Sequence, residues 1–300
     1  MNDRCISFNL DNNKIRGRIV RLDKTLTDIF SRMEYPDNVA AAVAETSALG
    51  AMLASLMKFA GVFTLQIQSE GPISVLVADI NSNGKLRACA KYDAAKMAAA
   101  QLLRKTDGEI EPTPHWLGKG NLIFTIDQGK NTELYQGIVD LKGKTLADCA
   151  LRYFKNSEQI DTCLRLFVRK KENVWQSAGI LIQKMPDNGG NIVEKTDDNT
   201  NEIWHEDKIL TDSLQEGEIF DNNLPLEDVL YRLFHEHQVR VVKESKYIFG
   251  CRCSRDKLLN TLATMSKEDI EHMAENGKIT ATCNFCGTKY AFDKGELLKN

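Results

Sequence analysis

The sequence predicts an α+β protein in three units: an N-terminal, mostly antiparallel sheet domain with helices over residues 1–184, a helical acidic linker over 185–223, and a small C-terminal cysteine-bearing domain over 224–300. Three observations support it. Strand patterns up to about residue 184 come as successive hairpins with helices grouped between them, the signature of α+β rather than alternating α/β architecture. Residues 186–223 carry eleven Asp or Glu, two Lys and no Arg, so they hold −9 while the remainder of this −3 chain holds +6. Four cysteines, Cys251-Arg-Cys253 and Cys283-Asn-Phe-Cys286, form two close pairs separated by 29 residues.

In chain order, Ile6, Phe8 and Leu10 alternate, and Arg16 to Leu22 continues as a second strand. Pro36-Asp37 opens a long helix, proline and a capping aspartate at its start, with Leu49, Met52, Leu53, Leu56 and Met57 at helical spacing. Phe63–Ser69 alternates strictly, Glu70-Gly71-Pro72 turns into Ile73–Ile80, and Asn83-Gly84 makes a hairpin into Lys85–Lys91. An alanine-rich helix over about 94–104, strands over 122–127 and 134–141, a helix from Thr145 and a strand pair, 163–169 with 174–183, complete the unit.

The linker opens on Pro186, Gly189 and Gly190, and its larger apolar residues gather late, at Ile203, Trp204, Ile209 and Leu214. Such a stretch repels itself and buries little, so it is either a plain acidic linker or a segment poised between folded and unfolded. Pro225 to His237 then reads as an amphipathic helix carrying Val229, Leu230, Leu233 and Phe234, and Gln238–Val242 as a short strand. Ser254 caps a helix to about Ala263; Ser266-x-x-Asp269 caps another, ended by Gly277; Ile279–Thr282 delivers the second cysteine pair.

Thiolate is the soft ligand that zinc prefers, and Cys251, Cys253, Cys283 and Cys286 would close a tetrahedral site with no position left for a substrate. Such a site is structural. Its apparent binding energy of about 10–16 kcal/mol becomes folding energy, whereas the core of so small a tail contributes about 3–5 kcal/mol. Zinc loss should therefore unfold the tail. Oxidation to disulfides, for which four cysteines allow three connectivities, would withdraw the ligands. Cys5, Cys89, Cys149 and Cys163 stand alone and read as small buried hydrophobes. His115, His205, His235, His237 and His272 form no ligand pattern.

Composition narrows the function. With 42% hydrophobic and 27% charged residues the chain reads as an ordinary soluble protein. A pI near 6.0 argues against a nucleic-acid footprint over the whole chain. The first residues lack a secretory pattern, so a cytoplasmic location with reduced thiols is expected. Val39 to Phe63 is the membrane candidate, but it contains Glu45 and Lys58, each costing about 2.5–3.5 kcal/mol at a membrane centre, and reads as a buried helix. Gly118-Lys-Gly120 is too short to cradle phosphate, no nucleophile elbow or metalloprotease helix occurs, and no enzyme is indicated.

At Phe249-Gly-Cys251-Arg-Cys253-Ser-Arg, at Cys283-Asn-Phe-Cys286 followed by Tyr290-x-Phe292, and at Tyr153-Phe154-Lys-Asn-Ser157-Glu158-Gln159 the chain resembles the redox-regulated heat-shock holdases, the thirty-three-kilodalton chaperonins. Gln68-Ser69-Glu70-Gly71-Pro72, Tyr135-Gln-Gly137 and Leu233-Phe234 with Val239-Arg240-Val241 extend the resemblance, in order, over nearly the whole length. Asn284 stands where the family more often has an acid, and Gly84-Lys-Leu-Arg-Ala-Cys89 replaces a run that usually carries an aromatic. The resemblance implies an inactive, mostly monomeric reduced state with one Zn2+ on the four cysteines. It implies that oxidant under unfolding conditions joins Cys251 to Cys253 and Cys283 to Cys286 and releases the zinc. The linker then unfolds, the N-terminal domains pair, and unfolding client proteins are bound without nucleotide under oxidative stress. Ile203–Leu214 and Leu226–Phe234 are the stretches expected to contribute to client binding, and serine at Ile209, Leu214, Leu230 and Phe234 is expected to weaken it. The competing readings are a zinc-ribbon nucleic-acid binder, which lacks a dense basic stripe with stacking aromatics, and a thiol–disulfide oxidoreductase, which lacks a cysteine pair opening a helix. The expected partners are unfolding clients and a second copy of the chain when oxidised, not nucleic acid or membrane.

Overall fold

Two β-sheets clamp one long helix in the computed structural model, which describes residues 3–104, 110–129, 132–186 and 198–297. Strands β1 (Arg4–Leu10) and β2 (Ile15–Leu22) form a hairpin, and helix α1 (Lys24–Phe30) leads into α2 (Asp37–Leu56). A meander of β3 (Val62–Ser69), β4 (Ile73–Asn81) and β5 (Lys85–Tyr92) ends in α3 (Ala94–Arg104). After the short α4 (Pro114–Leu117) come β6 (Gly120–Asp127), β7 (Tyr135–Asp140), α5 (Leu146–Tyr153) and the hairpin β8 (Thr162–Lys171) with β9 (Val174–Lys184). The linker carries α6 (Asp198–Ser213) and α7 (Glu216–Ile219); α8 (Leu226–Phe234), β10 (Arg240–Lys246) and β11 (Ile248–Phe249) follow. The last stretch holds α9 (Arg255–Leu262), α10 (Lys267–Met273), and the hairpin β12 (Lys278–Thr282) with β13 (Lys289–Asp293).

The first sheet has the order β10-β1-β2-β9-β8 and the second β11-β5-β4-β3-β6-β7. Every pairing in them is antiparallel except β11 with β5, which bears out the α+β class. Helix α2 is apolar around most of its circumference because it touches both sheets, and its alanines keep it thin enough to fit. A Cβ on Gly50 would stand 3.0 Å from Ile80 of β4, and one on Gly179 of β9 would stand 2.6 Å from Met52. Among the described residues α2 is the one helix long and apolar enough to cross a membrane, and 83% of its apolar window is buried in the protein. Its N-cap is Pro36, without a side-chain bond; Asp37, expected to cap, instead pairs with Lys170 at 2.8 Å.

The first sheet is apolar on both faces. Cys5, Val20, Leu22 and Leu181 turn toward α2, while Ile6, Phe8, Leu10, Ile19 and Ile180 form an outer face. That outer face is covered by Leu214, Ile219 and Phe220 of the linker, by Leu224 just after it, and by Leu226, Leu230 and Phe234 of α8. Phe8 lies flat over Gly17, where a Cβ would fall 2.1 Å from the ring, and Phe234 packs 6.0 Å from Phe8 between centroids. Arginines of the sheet hold the cover by its backbone. Arg165 donates to Leu214 O (2.7 Å), Arg169 to Phe220 O (3.0 Å), and Arg21 to Asp221 O and Leu224 O (3.1 and 3.2 Å).

Residues 226–249 pack with the sheets. Helix α8 supplies apolar cover, β10 occupies the edge of β1, and β11 the edge of β5. The cysteine lobe beyond Gly250 has its own small cluster, with Leu262, Ile270, Ile279, Phe292 and Leu297 buried. Helix α10 stops at Met273, and Gly277, expected to end it, takes φ +76° in the turn into β12. Gly189 and Gly190, expected to open the linker, lie outside the described residues.

Candidate metal centre

Two loops bring four sulfurs together. Cys251 and Cys253 lie between β11 and Ser254, whose hydroxyl caps α9 by accepting from the Lys257 amide at 3.3 Å. Cys283 and Cys286 occupy the turn between β12 and β13, a hairpin and not the start of a helix, so the placement an oxidoreductase needs is absent from this pair. There the Cys286 and Gly287 amides donate to Cys283 O at 3.3 and 2.9 Å, and Gly287 sits at φ +67°. A Cβ on Gly287 would also meet Arg32 O at 2.9 Å, so the turn is seated directly on the end of the α1 region.

The Sγ atoms of Cys251 and Cys283 are 3.7 Å apart, those of Cys253 and Cys286 3.5 Å, and all four lie within 4.8 Å of one another. A zinc ion with Zn–S bonds of about 2.3 Å would set tetrahedral sulfurs about 3.8 Å apart. The donor set and spacing therefore fit a closed tetrathiolate site, and all four are free cysteines. Cys253 Sγ meets Tyr290 Oη at 3.2 Å and Cys286 Sγ meets Thr288 Oγ1 at 3.2 Å, contacts that orient the sulfurs. Burial and the neighbouring thiols push Cys283 up to about 12, and burial also raises Cys253. Burial opposes ionisation of Cys286 too, but the Thr288 hydroxyl and amide and the Cys253 thiol outweigh it and bring that sulfur down to about 6.

The residues between the ligands dock the lobe. Arg252 Nη2 reaches Asp79 Oδ2 of β4 at 2.7 Å. Arg87 of β5 donates Nε and Nη2 to the same oxygen (2.9 and 2.7 Å), places Nη1 3.6 Å from Cys251 Sγ, and stacks its guanidinium 3.9 Å from the Phe285 ring centroid. Thr64 fills the other Asp79 oxygen at 2.7 Å. One buried carboxylate thus anchors the metal loops to the second sheet, a role that sequence reading missed; the only hint was the charge of Arg252 between two ligands. The lone cysteines stay out of the site. Burial pushes Cys5 and Cys149 up to about 11 and Cys89 and Cys163 up to about 12, as befits inert core thiols.

Two expectations change. No ligand pattern is expected for the histidines, yet the fold brings His237 to Asp11, 226 residues away in the chain, and to Asp207, beyond the reach of any spacing rule. Of the apolar residues expected to meet clients, Leu214, Leu230 and Phe234 are buried against the first sheet, whereas Ile209 is 55% exposed.

Comparison with known proteins agrees with this geometry. A family model described as "Hsp33 protein" matches residues 3–293. A protein named 33 kDa chaperonin from Caulobacter vibrioides is 33% identical over 299 residues, covering 98% of this chain and 95% of its own length. One of the same name from Shewanella loihica is 34% identical over 290 residues, covering 96% and 91%. The crystal structure of the 33 kDa chaperonin (heat shock protein 33 homolog) from Thermotoga maritima superposes with a TM-score of 0.78 at 22% identity, covering all of this chain and 97% of that one, and so shares its fold.

Proposed function

This chain belongs to the Hsp33 family of chaperones, not enzymes, and from that premise we propose an ATP-independent holdase that is closed while its thiolates hold one Zn2+ and opens when they are oxidised. The outer face of the first sheet carries this reading. Its centre is apolar, edged by Arg21, Arg165 and Arg169, and among the described residues its cover is an acidic linker and α8, joined through β10 and β11 to Cys251. Uncovered, such a face is a broad apolar surface of low specificity, suited to unfolding client proteins.

Each disulfide takes two electrons from two thiolates. With peroxide as oxidant, one molecule per disulfide becomes two waters, taking up two protons, so two peroxides convert the whole ligand set. The proposed bonds are Cys251–Cys253 and Cys283–Cys286, as the resemblance implies; sulfurs within 4.8 Å of one another leave either partner in reach. Loss of the zinc would then remove the main cohesion of a lobe whose cluster, among the described residues, has five buried apolar side chains, Cys aside. The unit 224–300 loosens first from its metal end, the linker 185–223 follows, and the unit 1–184 stays folded, pairs with a second copy and holds clients in the cytoplasm. Nucleic acid and membrane have no part in the scheme.

The test follows zinc release, with a metallochromic dye, and aggregation of a chemically unfolded client in one sample before and after peroxide. Protection should appear only as zinc leaves. A reduced, zinc-loaded sample that already protects fully, or zinc release without protection, would overturn the reading.

A further inference from the structure

Outside the thiolate centre a second set of ligand-type side chains converges where the linker meets the first sheet. Asp11 lies in the turn between β1 and β2, Asp207 on α6, and His237 just beyond α8. His237 Nδ1 is 2.8 Å from Asp11 Oδ2 and 3.5 Å from Asp207 Oδ1, and the three ligand atoms lie within 4.8 Å of one another. Asp207 is 0% exposed, and neither of its oxygens has a hydrogen-bond partner. Nδ1 can present one proton, and its short contact is to Asp11. The ion pair to His237 therefore leaves both buried Asp207 oxygens without a protein donor, where an unbonded charge is costly. Thr211, one turn along the same helix face, adds a buried hydroxyl that also lacks a partner.

We propose that Asp11, Asp207 and His237 form a second cation site, for a divalent first-row metal of which Zn2+ is the best match, clasping the linker helix to the β1–β2 turn. Two carboxylates and a neutral imidazole balance a 2+ ion with no net charge left over, and imidazole with carboxylate is a donor set zinc accepts. Bonds of about 2.0–2.2 Å would set donors about 3.3–3.6 Å apart, a small adjustment from the two spacings given above. Three protein ligands leave the fourth position to water. On entry the ion takes the Nδ1 lone pair and the displaced proton goes to solvent. The site joins three elements that part when the linker leaves, so it would act as a second clasp that thiol oxidation does not break.

The test uses the full reduced chain carrying one zinc on its thiolates, dialysed against micromolar Zn2+ at neutral pH. A second equivalent should bind, with proton release seen by calorimetry in two buffers. Asp207→Asn and His237→Gln should each weaken that equivalent by about tenfold or more while retaining the first, which also shows that the variants fold. Cobalt in the second site should give d–d absorption without a sulfur charge-transfer band. A single equivalent in the wild-type chain, or a second one that both variants keep, would overturn the proposal and leave the trio as an ion-pair cluster.

Discussion

The centre of the molecule and its C-terminal lobe are held by different forces. Helix α2 buries Val39, Leu49, Met52 and their neighbours between two sheets, and no single reagent removes that contact. Among the described residues the lobe's cluster buries five apolar side chains beside four gathered sulfurs, so on the proposed reading its cohesion would rest on a few atoms that an oxidant or a chelator can withdraw. Between the two lies the linker, folded only as cover for the outer face of the first sheet. On the proposed reading, such a chain would lose one end by chemistry while the rest keeps its fold.

The strongest way to break the contrast is to uncover the sheet without touching a thiolate. Leu230→Ser with Phe234→Ser removes two fully buried anchors, at about 2–5 kcal/mol each by analogy with large-to-small core changes. The reduced double variant should bind an apolar dye and protect clients with zinc still in place. This reverses the sign expected from sequence, where both residues were read as client contacts: buried in the closed form, they first act as a latch. A reduced variant as silent as wild type would show that the cover is not what closes the surface.

Next in size is the anchor of the lobe. Asp79→Ala leaves Arg87 and Arg252 without their shared carboxylate, and breaking such a buried pair costs about 3–5 kcal/mol. Arg252 is partly exposed, which reduces its share. Zinc should pass to a chelator faster than from wild type, although all four sulfurs remain; an unchanged rate would mean that docking and metal retention are independent.

Titration separates the regions more gently. Burial raises Glu45 of α2 to about 7, with Thr113 donating to it. A carboxyl raised on folding stabilises the protein below its unfolded value, and that contribution is lost as pH rises through about 7. The melting temperature of the sheet core should therefore fall modestly between pH 5 and 8, flatly so in Glu45→Gln. An identical slope in that variant would place the titrating group elsewhere. The smallest effect belongs to Ile209→Ser. That side chain is exposed, so the closed state should be untouched and only suppression by the oxidised chain slightly reduced; equal suppression would remove α6 from the client surface.

Local chemistry made much of this readable in advance. Strict alternation in Phe63–Ser69, the Asn83-Gly84 turn and the Ser254 and Ser266 caps act within a few residues, and the structure has all of them. The ligand cysteines were legible because soft donors in close pairs are rarely accidental. What sequence hid was long-range. Asp79 beneath Arg87 and Arg252, β10 on the edge of β1, and His237 beside Asp11 and Asp207 depend on pairing across the fold, where no period or spacing operates. Linker burial was underestimated for the same reason: the carbonyl-binding arginines Arg21, Arg165 and Arg169 lie in distant strands.

Hydrogen exchange on the reduced chain, before and after zinc is stripped by a chelator, reports whether the metal holds the lobe and, through it, the linker. Amides of α9, α10 and β12 should lose protection at once, those of α6 to α8 should follow, and those of α2 and β3 to β6 should keep theirs. A stripped chain whose lobe and linker exchange as slowly as the loaded one, or whose α2 opens together with them, would contradict this.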